Sequence, residues 1–311
     1  MKIFILGGAG FIGSHLARQL HQAENVVTVY DRNVNLKMLP NGISNIIEGD
    51  FLNEGGFEEL LADQDIIIHL ISTVSPYTSM INPTDSYKLD VIKTIELLEA
   101  AKKMNVGKVI FLSSGGTVYG DHGDAELLNE GFNCNPLNHY GIMKLTIEKI
   151  MLLYNQLFGM ENIVLRVANP YGVGQDPSKK IGAVSVFLNT ILQGESITLY
   201  GDGSTTRDYI DIDDVCNAIV AAVSYRASSF DILPVFNVGT GIGTSIVDII
   251  RKIEHYTSLN ANIDFKSMRS IDVKRNVLDP RRAKEYLGFK AQISIDEGIK
   301  KLVNNYLNTR E

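Results

Sequence analysis

No apolar run in the chain approaches the roughly 18 residues that a helix needs to cross a bilayer, which excludes a helical membrane span. Cysteine is almost absent. Cys134 and Cys216 are the only two in 311 residues, and they have neither metal-ligand spacing nor a secretory context. A disulfide scaffold is thereby excluded, and two reduced structural thiols are expected, as in a cytoplasmic enzyme. Positive charge is not in excess. Lys and Arg number 29 against 36 Asp and Glu, a net charge of −7, so no nucleic-acid partner is suggested. There is no signal-peptide pattern, no internal repeat and no low-complexity segment, and strand residues begin at position 2. His69 and His139 lack an Asp, Glu or His partner at ligand spacing, so they read as structural and no metal is expected.

What is present starts at the first residues. The apolar run Ile3-Phe4-Ile5-Leu6 ends in Gly7-Gly8-Ala9-Gly10-Phe11-Ile12-Gly13 and continues into a segment of helical period. Gly7 permits a tight turn off the strand. Gly10 lets the backbone approach a pyrophosphate, and Gly13 lets the helix pack on the strand with its N-terminus facing the phosphates. Such glycine spacing is informative only between a strand and a helix, and both are present here. A second strand, Val26-Val27-Thr28-Val29-Tyr30, ends in Asp31, about where an acid meets the adenosine ribose hydroxyls of a dinucleotide.

Apolar runs alternate with helix-period segments through the first half. They predict strands over 2–7, 26–31, 46–50, 65–70, 109–114 and 162–168, and helices near 11–22, 53–62, 84–104 and 140–158. The alternation implies an α/β fold, a Rossmann-type doubly wound parallel sheet with ligands at the strands' carboxyl ends. The second half predicts helices near 179–193, 212–224 and 245–257, and two more within 280–308. The expected division is a dinucleotide-binding domain over 1–168 that carries the catalytic helix. A smaller α/β substrate lobe over 169–311 sends some segments back to the core domain.

Tyr140-Gly141-Ile142-Met143-Lys144 is the second strong signal. Residues four apart share a helix face, so phenol and ammonium can point into one cleft. A free tyrosine titrates near 10. A neighbouring ammonium and a cationic nicotinamide are both expected to favour phenolate and lower that value. Tyr140 would then serve as base toward a sugar hydroxyl and as acid toward a ketone, and Lys144 would also hold the nicotinamide ribose.

Further motifs are Glu-Gly-Asp at 48–50, Ser-Ser-Gly-Gly-Thr-Val-Tyr-Gly at 113–120, Arg-Val-Ala-Asn-Pro-Tyr-Gly at 166–172 and Tyr-Gly-Asp-Gly-Ser-Thr-Thr-Arg-Asp-Tyr-Ile at 200–210. With the glycine loop and the Tyr/Lys pair, these make the chain resemble the extended short-chain dehydrogenase/reductases. Within that superfamily it is similar to the nucleotide-sugar epimerase/dehydratase group typified by UDP-glucose 4-epimerase.

The resemblance implies NAD as cofactor. It implies that Phe11 and Ile12 give backbone amides to the pyrophosphate, that Asp50 and Phe51 flank the adenine, and that Leu70 and Ala168 lie beside the cofactor. Asp31 disfavours the 2′-phosphate of NADP, although Arg32 follows it. The implied substrate is a nucleotide sugar, UDP-linked by the same resemblance. Arg207 and Arg269 would hold its diphosphate, Asp272 a ribose, and Asn169 a phosphate or sugar group, while Ala183, Val184, Thr198 and Tyr200 frame the base. Arginine suits the diphosphate because its planar donor fork matches phosphate oxygens. The family's two-helix, two-fold contact implies a homodimer through 84–104 and 140–158.

Three departures from the family pattern stand out. Gly115 occupies the position of a Ser or Thr that hydrogen-bonds the reacting sugar hydroxyl. Thr117 and Ser114 are the near substitutes, and Thr117 shares the Gly115 side if the strand continues. Val74 stands near the place of a lysine, and Asp90 replaces an asparagine. By the same resemblance, Asn276, four past Asp272, lines the pocket beside sugar carbon 2, where a small residue admits an N-acetyl group.

The leading expectation is an NAD-dependent 4-epimerase of a UDP-hexose or UDP-N-acetylhexosamine, working through a transient 4-keto sugar. A nucleotide-sugar 4-ketoreductase is the second. A 4,6-dehydratase would need carboxylates where Gly116 and Thr117 stand, and a decarboxylase would need its glutamate. A non-catalytic NAD-sensing regulator would be expected to lose the Tyr/Lys pair.

Overall fold

The computed structural model describes residues 1–311 except 44, 124, 227–233, 268–272 and 309–311. Six strands of the first half form as anticipated: β1 (Lys2–Leu6), β2 (Val26–Asp31), β3 (Asn45–Glu48), β4 (Ile66–His69), β5 (Lys108–Ser114) and β6 (Ile163–Val167). In the second half come β7 (Asn169–Tyr171), β8 (Ser196–Tyr200), β9 (Thr206–Asp211) and β10 (Val235–Val238). They are followed by β11 (Gly243–Ser245), β12 (Asn262–Lys266) and β13 (Arg275–Asn276). Helices of four residues or more used below are α1 (Phe11–Gln22), α2 (Glu58–Leu61), α3 (Lys93–Lys103) and α4 (His139–Phe158). The remaining ones are α5 (Ala183–Leu192), α6 (Ile212–Ser224), α7 (Ile246–Thr257), α8 (Arg281–Leu287) and α9 (Ile295–Asn308).

A seven-stranded parallel sheet runs in the order β10-β6-β5-β4-β1-β2-β3. Strand order reverses between β1 and β4, which opens a crevice at their carboxyl ends. Alternation along β1 shows why both faces are covered. Ile3 and Ile5 enter one buried cluster with α1 and α6, and Phe4 and Leu6 enter another with α3 and α4. A second, smaller sheet centres on β9, which pairs with β7, β11 and β13.

Two anticipated helices differ from expectation. The one near 53–62 shrinks to α2, because Gly55-Gly56 in its first half disfavours helix. The one over 84–104 is not continuous. It divides into Pro83–Asp85, a π-helical segment at Ser86–Ile92, and α3. The wider turn lets Asp90 reach Thr73 while Leu97 and Leu98 stay in the core. None of the described helices is long and apolar enough to cross a membrane.

Candidate active site

The glycine loop adopts the geometry its sequence requires. Gly7 has φ +81°, and its amide donates to the Tyr30 carbonyl at 2.8 Å. A Cβ on Gly13 would lie 2.2 Å from the Gly7 carbonyl oxygen, so only glycine allows α1 this close to the strand end. α1 starts on Gly10 with no side-chain cap, leaving the Phe11 and Ile12 end of the helix as a donor site for an anion. Asp31 closes the loop, accepting the Ala9 amide at 3.1 Å. A cavity of about 270 Å³ runs past Gly7, Gly10, Asp31, Asp50, Phe51 and Leu70. An uncapped helix N-terminus, an acid at the end of β2 and an apolar wall at Phe51 and Leu70 fit a dinucleotide.

The phenol and the ammonium arise from one helix. Asn138 caps α4 by accepting the Gly141 amide at 2.8 Å, and the Tyr140 amide donates to the Ser79 hydroxyl at 3.1 Å. Gly141 explains the glycine in the Tyr-Gly-x-x-Lys motif. A Cβ there would stand 2.9 Å from the Thr117 carbonyl oxygen, so glycine lets α4 press on the helical turn that follows β5. Lys144 is buried, donates to the Leu112 carbonyl at 2.9 Å and lies 4.5 Å from the Phe111 ring centre. Its Nζ is 5.6 Å from the Tyr140 ring centre. Ala168 is buried at the end of β6, where its amide donates to Val238.

Burial, not the ammonium, dominates the phenol. Desolvation pushes Tyr140 up to about 12, the Asp90 charge adds to this, and hydrogen bonds from Ser72 and Ser114 oppose it. The lowering expected from the ammonium together with a cationic nicotinamide is not produced by the chain's own groups, among which burial raises the phenol. Lys144 itself falls to about 8 through burial, against the attraction of Asp90 and Glu148.

The strand does not continue as the placement of Thr117 on the Gly115 side requires. β5 stops at Ser114, and Gly115–Val118 is a helical turn. Alternation therefore does not carry Thr117 to the Gly115 side. The Thr117 hydroxyl donates to the Ser114 carbonyl at 3.5 Å, whereas Ser114 is among the groups that favour the charged form of Tyr140.

On the other side, a cavity of about 310 Å³ is lined by Asn169, Ala183, Val184 and Arg207, together with Gln175 and Tyr209. β9 creates this grouping, because Asn169 of β7 pairs with Tyr209 and Asn276 of β13 pairs with Arg207. The Asn169 amide donates to the Asp208 carbonyl at 2.8 Å. Thr198 and Tyr200 are not brought to this cavity. Both lie on the outward-facing side of β8, where inward residues alternate with them. Arg269 and Asp272 lie outside the described residues.

Sequence reasoning did not single out Ser72, Thr73 and Lys179, which line the dinucleotide cavity. The available signal for Ser72 and Thr73 was their place just past the carboxyl end of β4. Lys179 approaches from the second half of the chain and had no local signal.

Comparison with known proteins agrees with this geometry. Residues 3–239 match the NAD dependent epimerase/dehydratase family. The UDP-glucose 4-epimerase of Mycolicibacterium smegmatis is 34% identical over 99% of this chain and 99% of the relative. The structure of UDP-glucose 4-epimerase with UDP-glucose from Thermotoga maritima superposes with a TM-score of 0.93 at 32% identity, covering 100% of both chains. The UDP-N-acetylglucosamine 4-epimerase from Methanobrevibacter ruminantium gives 0.90 at 27% identity, covering 99% of this chain and 98% of the other. With a glycine loop, a Tyr/Lys pair on one helix face and full-length likeness in agreement, the chain belongs to the NAD-dependent epimerase/dehydratase family.

Proposed function

We propose that the protein is a nucleotide-sugar 4-epimerase acting on a UDP-linked hexose or N-acetylhexosamine. The carrying observation is that Tyr140 stands on the same helix face as Lys144, whose Nζ is 5.6 Å from its ring centre, with a dinucleotide cavity and an arginine-bearing cavity in the same molecule. NAD held there would supply reversible hydride transfer to and from the sugar.

The chain's own residues divide the remaining work. Gly7, Gly10, Gly13 and the amides of Phe11 and Ile12 would receive the pyrophosphate. Asp31 would take the adenosine ribose, with Asp50, Phe51, Leu70 and Ala168 around the cofactor. Tyr140 would take the proton of the 4-hydroxyl and give it back to the ketone oxygen. Lys144 would hold the nicotinamide ribose, and Ser114, with Thr117 in a lesser part, would orient the reacting hydroxyl. Asn169 and Arg207 would meet the diphosphate beside Ala183 and Val184. Arg269 and Asp272 are assigned to the same ligand by resemblance alone.

The division into a cofactor domain over 1–168 and a substrate lobe over 169–311 belongs to this reading. So does a cytoplasmic setting, which the two free cysteines favour. A homodimer is part of it as well. Ile142, Leu153, Leu157 and Phe158 leave apolar surface exposed on α4. On the other expected helix, Val91, Leu98 and Ala101 are buried within the subunit, so α4 supplies most of the apolar contact. Sedimentation at micromolar concentration should give a dimer, and a clean monomer would remove this part.

The decisive experiment measures bound cofactor and products of the purified protein with a UDP-sugar panel. Bound NAD and accumulation of the 4-epimer without added cofactor are expected. Stoichiometric consumption of added reduced cofactor would instead identify a ketoreductase.

A further inference from the structure

A third cavity, of about 350 Å³, opens beside the β9 sheet, between the loop after β10, the start of α8 and the segment that joins α8 to α9. It is larger than the dinucleotide and arginine-bearing cavities and suits a small organic ligand. Among the described residues it shares Tyr209 with the arginine-bearing cavity and nothing with the dinucleotide cavity.

Two buried carboxylates hold its walls. Asp208 of β9 accepts the Thr240 amide at 3.0 Å, the Thr240 hydroxyl at 2.6 Å and the Gly241 amide at 3.1 Å, which fixes the loop after β10. A Cβ on Gly239 would lie 2.4 Å from Asp208 Oδ2, so glycine is needed where this loop meets the acid. Asp214 of α6 accepts the Gln292 and Ile293 amides, both at 2.9 Å, which fixes the wall between α8 and α9. The space is therefore built by side chains that hold backbone in place. A cavity with walls already set binds a ligand without the cost of ordering them.

The lining carries charge of one sign. Arg281, Lys284 and Lys290 border it, and no Asp or Glu does among the described residues. In a chain of net charge −7 this is a local reversal that favours an anion. Arg281 is already paired with Asp279 at 2.6 Å. Lys284 and Lys290 are exposed and make no ion pair among the described residues. Two exposed lysines alone would be ordinary solvated surface. Here they border a cavity that also has an apolar wall, with Phe289 buried and Ile242 64% exposed.

We propose that this cavity is a further ligand site, for a small organic anion whose apolar body packs on Phe289 and Ile242 while its carboxylate, phosphate or sulfonate meets Lys284 and Lys290. Tyr209 also bounds the arginine-bearing cavity, so a ligand seated here touches a wall of the candidate substrate site. The inference does not rest on the epimerase reading.

The test titrates the full chain with anilinonaphthalene sulfonate, an apolar aromatic body with one sulfonate, and follows its fluorescence. Wild type should bind it saturably. Lys284→Glu/Lys290→Glu should weaken binding at least about tenfold, because attraction becomes repulsion at both positions. Ala291→Phe, which fills the cavity without changing charge, should weaken it as much. Lys300→Glu, on α9 outside the cavity, and Arg207→Ala, in the neighbouring cavity, should bind as wild type. Both cavity lysines are exposed, so their exchange keeps the test open even if Ala291→Phe fails to fold. Absence of saturable binding to wild type overturns the proposal. So does wild-type affinity in Lys284→Glu/Lys290→Glu or in folded Ala291→Phe, or an equal loss in Lys300→Glu or Arg207→Ala.

Discussion

The Asn276 side chain donates its Nδ2 to the Gly115 carbonyl at 3.2 Å, tying the β9 sheet to the turn that follows β5. Gly115 also faces inward. A Cβ there would lie 2.5 Å from Leu278 Cδ1 and 3.1 Å from the Arg166 carbonyl oxygen. The position where the resemblance implies a hydroxyl is therefore crowded, and a side chain there must displace Leu278.

Gly115→Ser should consequently destabilise the protein without raising turnover. Overpacking of this kind costs about 1–3 kcal/mol. Chemical denaturation measures the loss. A gain in turnover at unchanged stability would mean that the serine reaches the cleft after all.

Ser114 favours the charged form of Tyr140 while the Thr117 hydroxyl donates to a carbonyl, so Ser114→Ala should lower kcat more than Thr117→Val does. Loss of one oriented hydrogen bond to a reacting group is expected to cost about tenfold or more. Steady-state kinetics of both variants decides the order. Equal, small effects would leave the orienting task to water or backbone.

Tyr140→Phe keeps the ring in place and removes the acid–base oxygen, and turnover should fall by at least about 100-fold with NAD retained. Lys144→Ala should lose turnover and cofactor together, because that ammonium is buried between Leu112 and the aromatic rings. Absorbance of the purified variants reports the cofactor. Near-wild-type turnover in Tyr140→Phe would remove this residue from the mechanism.

Much of this arrangement was legible in the sequence because it is local. α1, β2 and α6 have the bounds that periodicity gives, and the glycine loop sits where a strand meets a helix. The Tyr140–Lys144 spacing fixes one helix face whatever surrounds it. What sequence could not supply depends on long-range packing. Whether β5 continues past Ser114 is decided by Leu278 and Gly141, which are far away in the chain. The sign of the shift at Tyr140 is decided by how deeply the phenol is enclosed and by Asp90 on a separate π-helical segment. The strand β10, at the edge of the main sheet beside β6, likewise follows from a pairing that no local pattern encodes.

His69 gives a pH prediction. Burial lowers its pKa from 6.5 to about 3, and the Lys144 charge adds to this. The unfolded chain then binds a proton that the folded one refuses between these values. Stability is full above about pH 6.5 and falls as pH drops toward 3, by at most about 1.4 kcal/mol per pH unit for this one group. His69→Phe should flatten that part of the curve relative to wild type in denaturation at pH 7, 6 and 5. Parallel curves would show that His69 is not the group responsible.

Substrate width is the last expectation. Asn276 is buried, paired across β13 and β9 with Arg207, and bonded to Gly115, so it touches both the arginine strand and the turn beside the phenol. The aromatic ring of Asn276→Tyr cannot fit in the amide's space and must displace either the turn or the adjoining cleft volume. If the cleft lies on that side, a bulky substituent on the sugar suffers first, as in any steric exclusion of one ligand over another. Turnover of N-acetylated UDP-hexosamines should then fall at least about tenfold further than that of UDP-glucose, a ratio within what one pocket contact can enforce. Asn276→Ala, which opens space and removes only the amide bond, should leave that ratio near wild type. The measurement is kcat/KM for both sugars in all three proteins. A fall of equal size for both sugars in Asn276→Tyr would assign Asn276 to holding the turn and not to choosing the sugar.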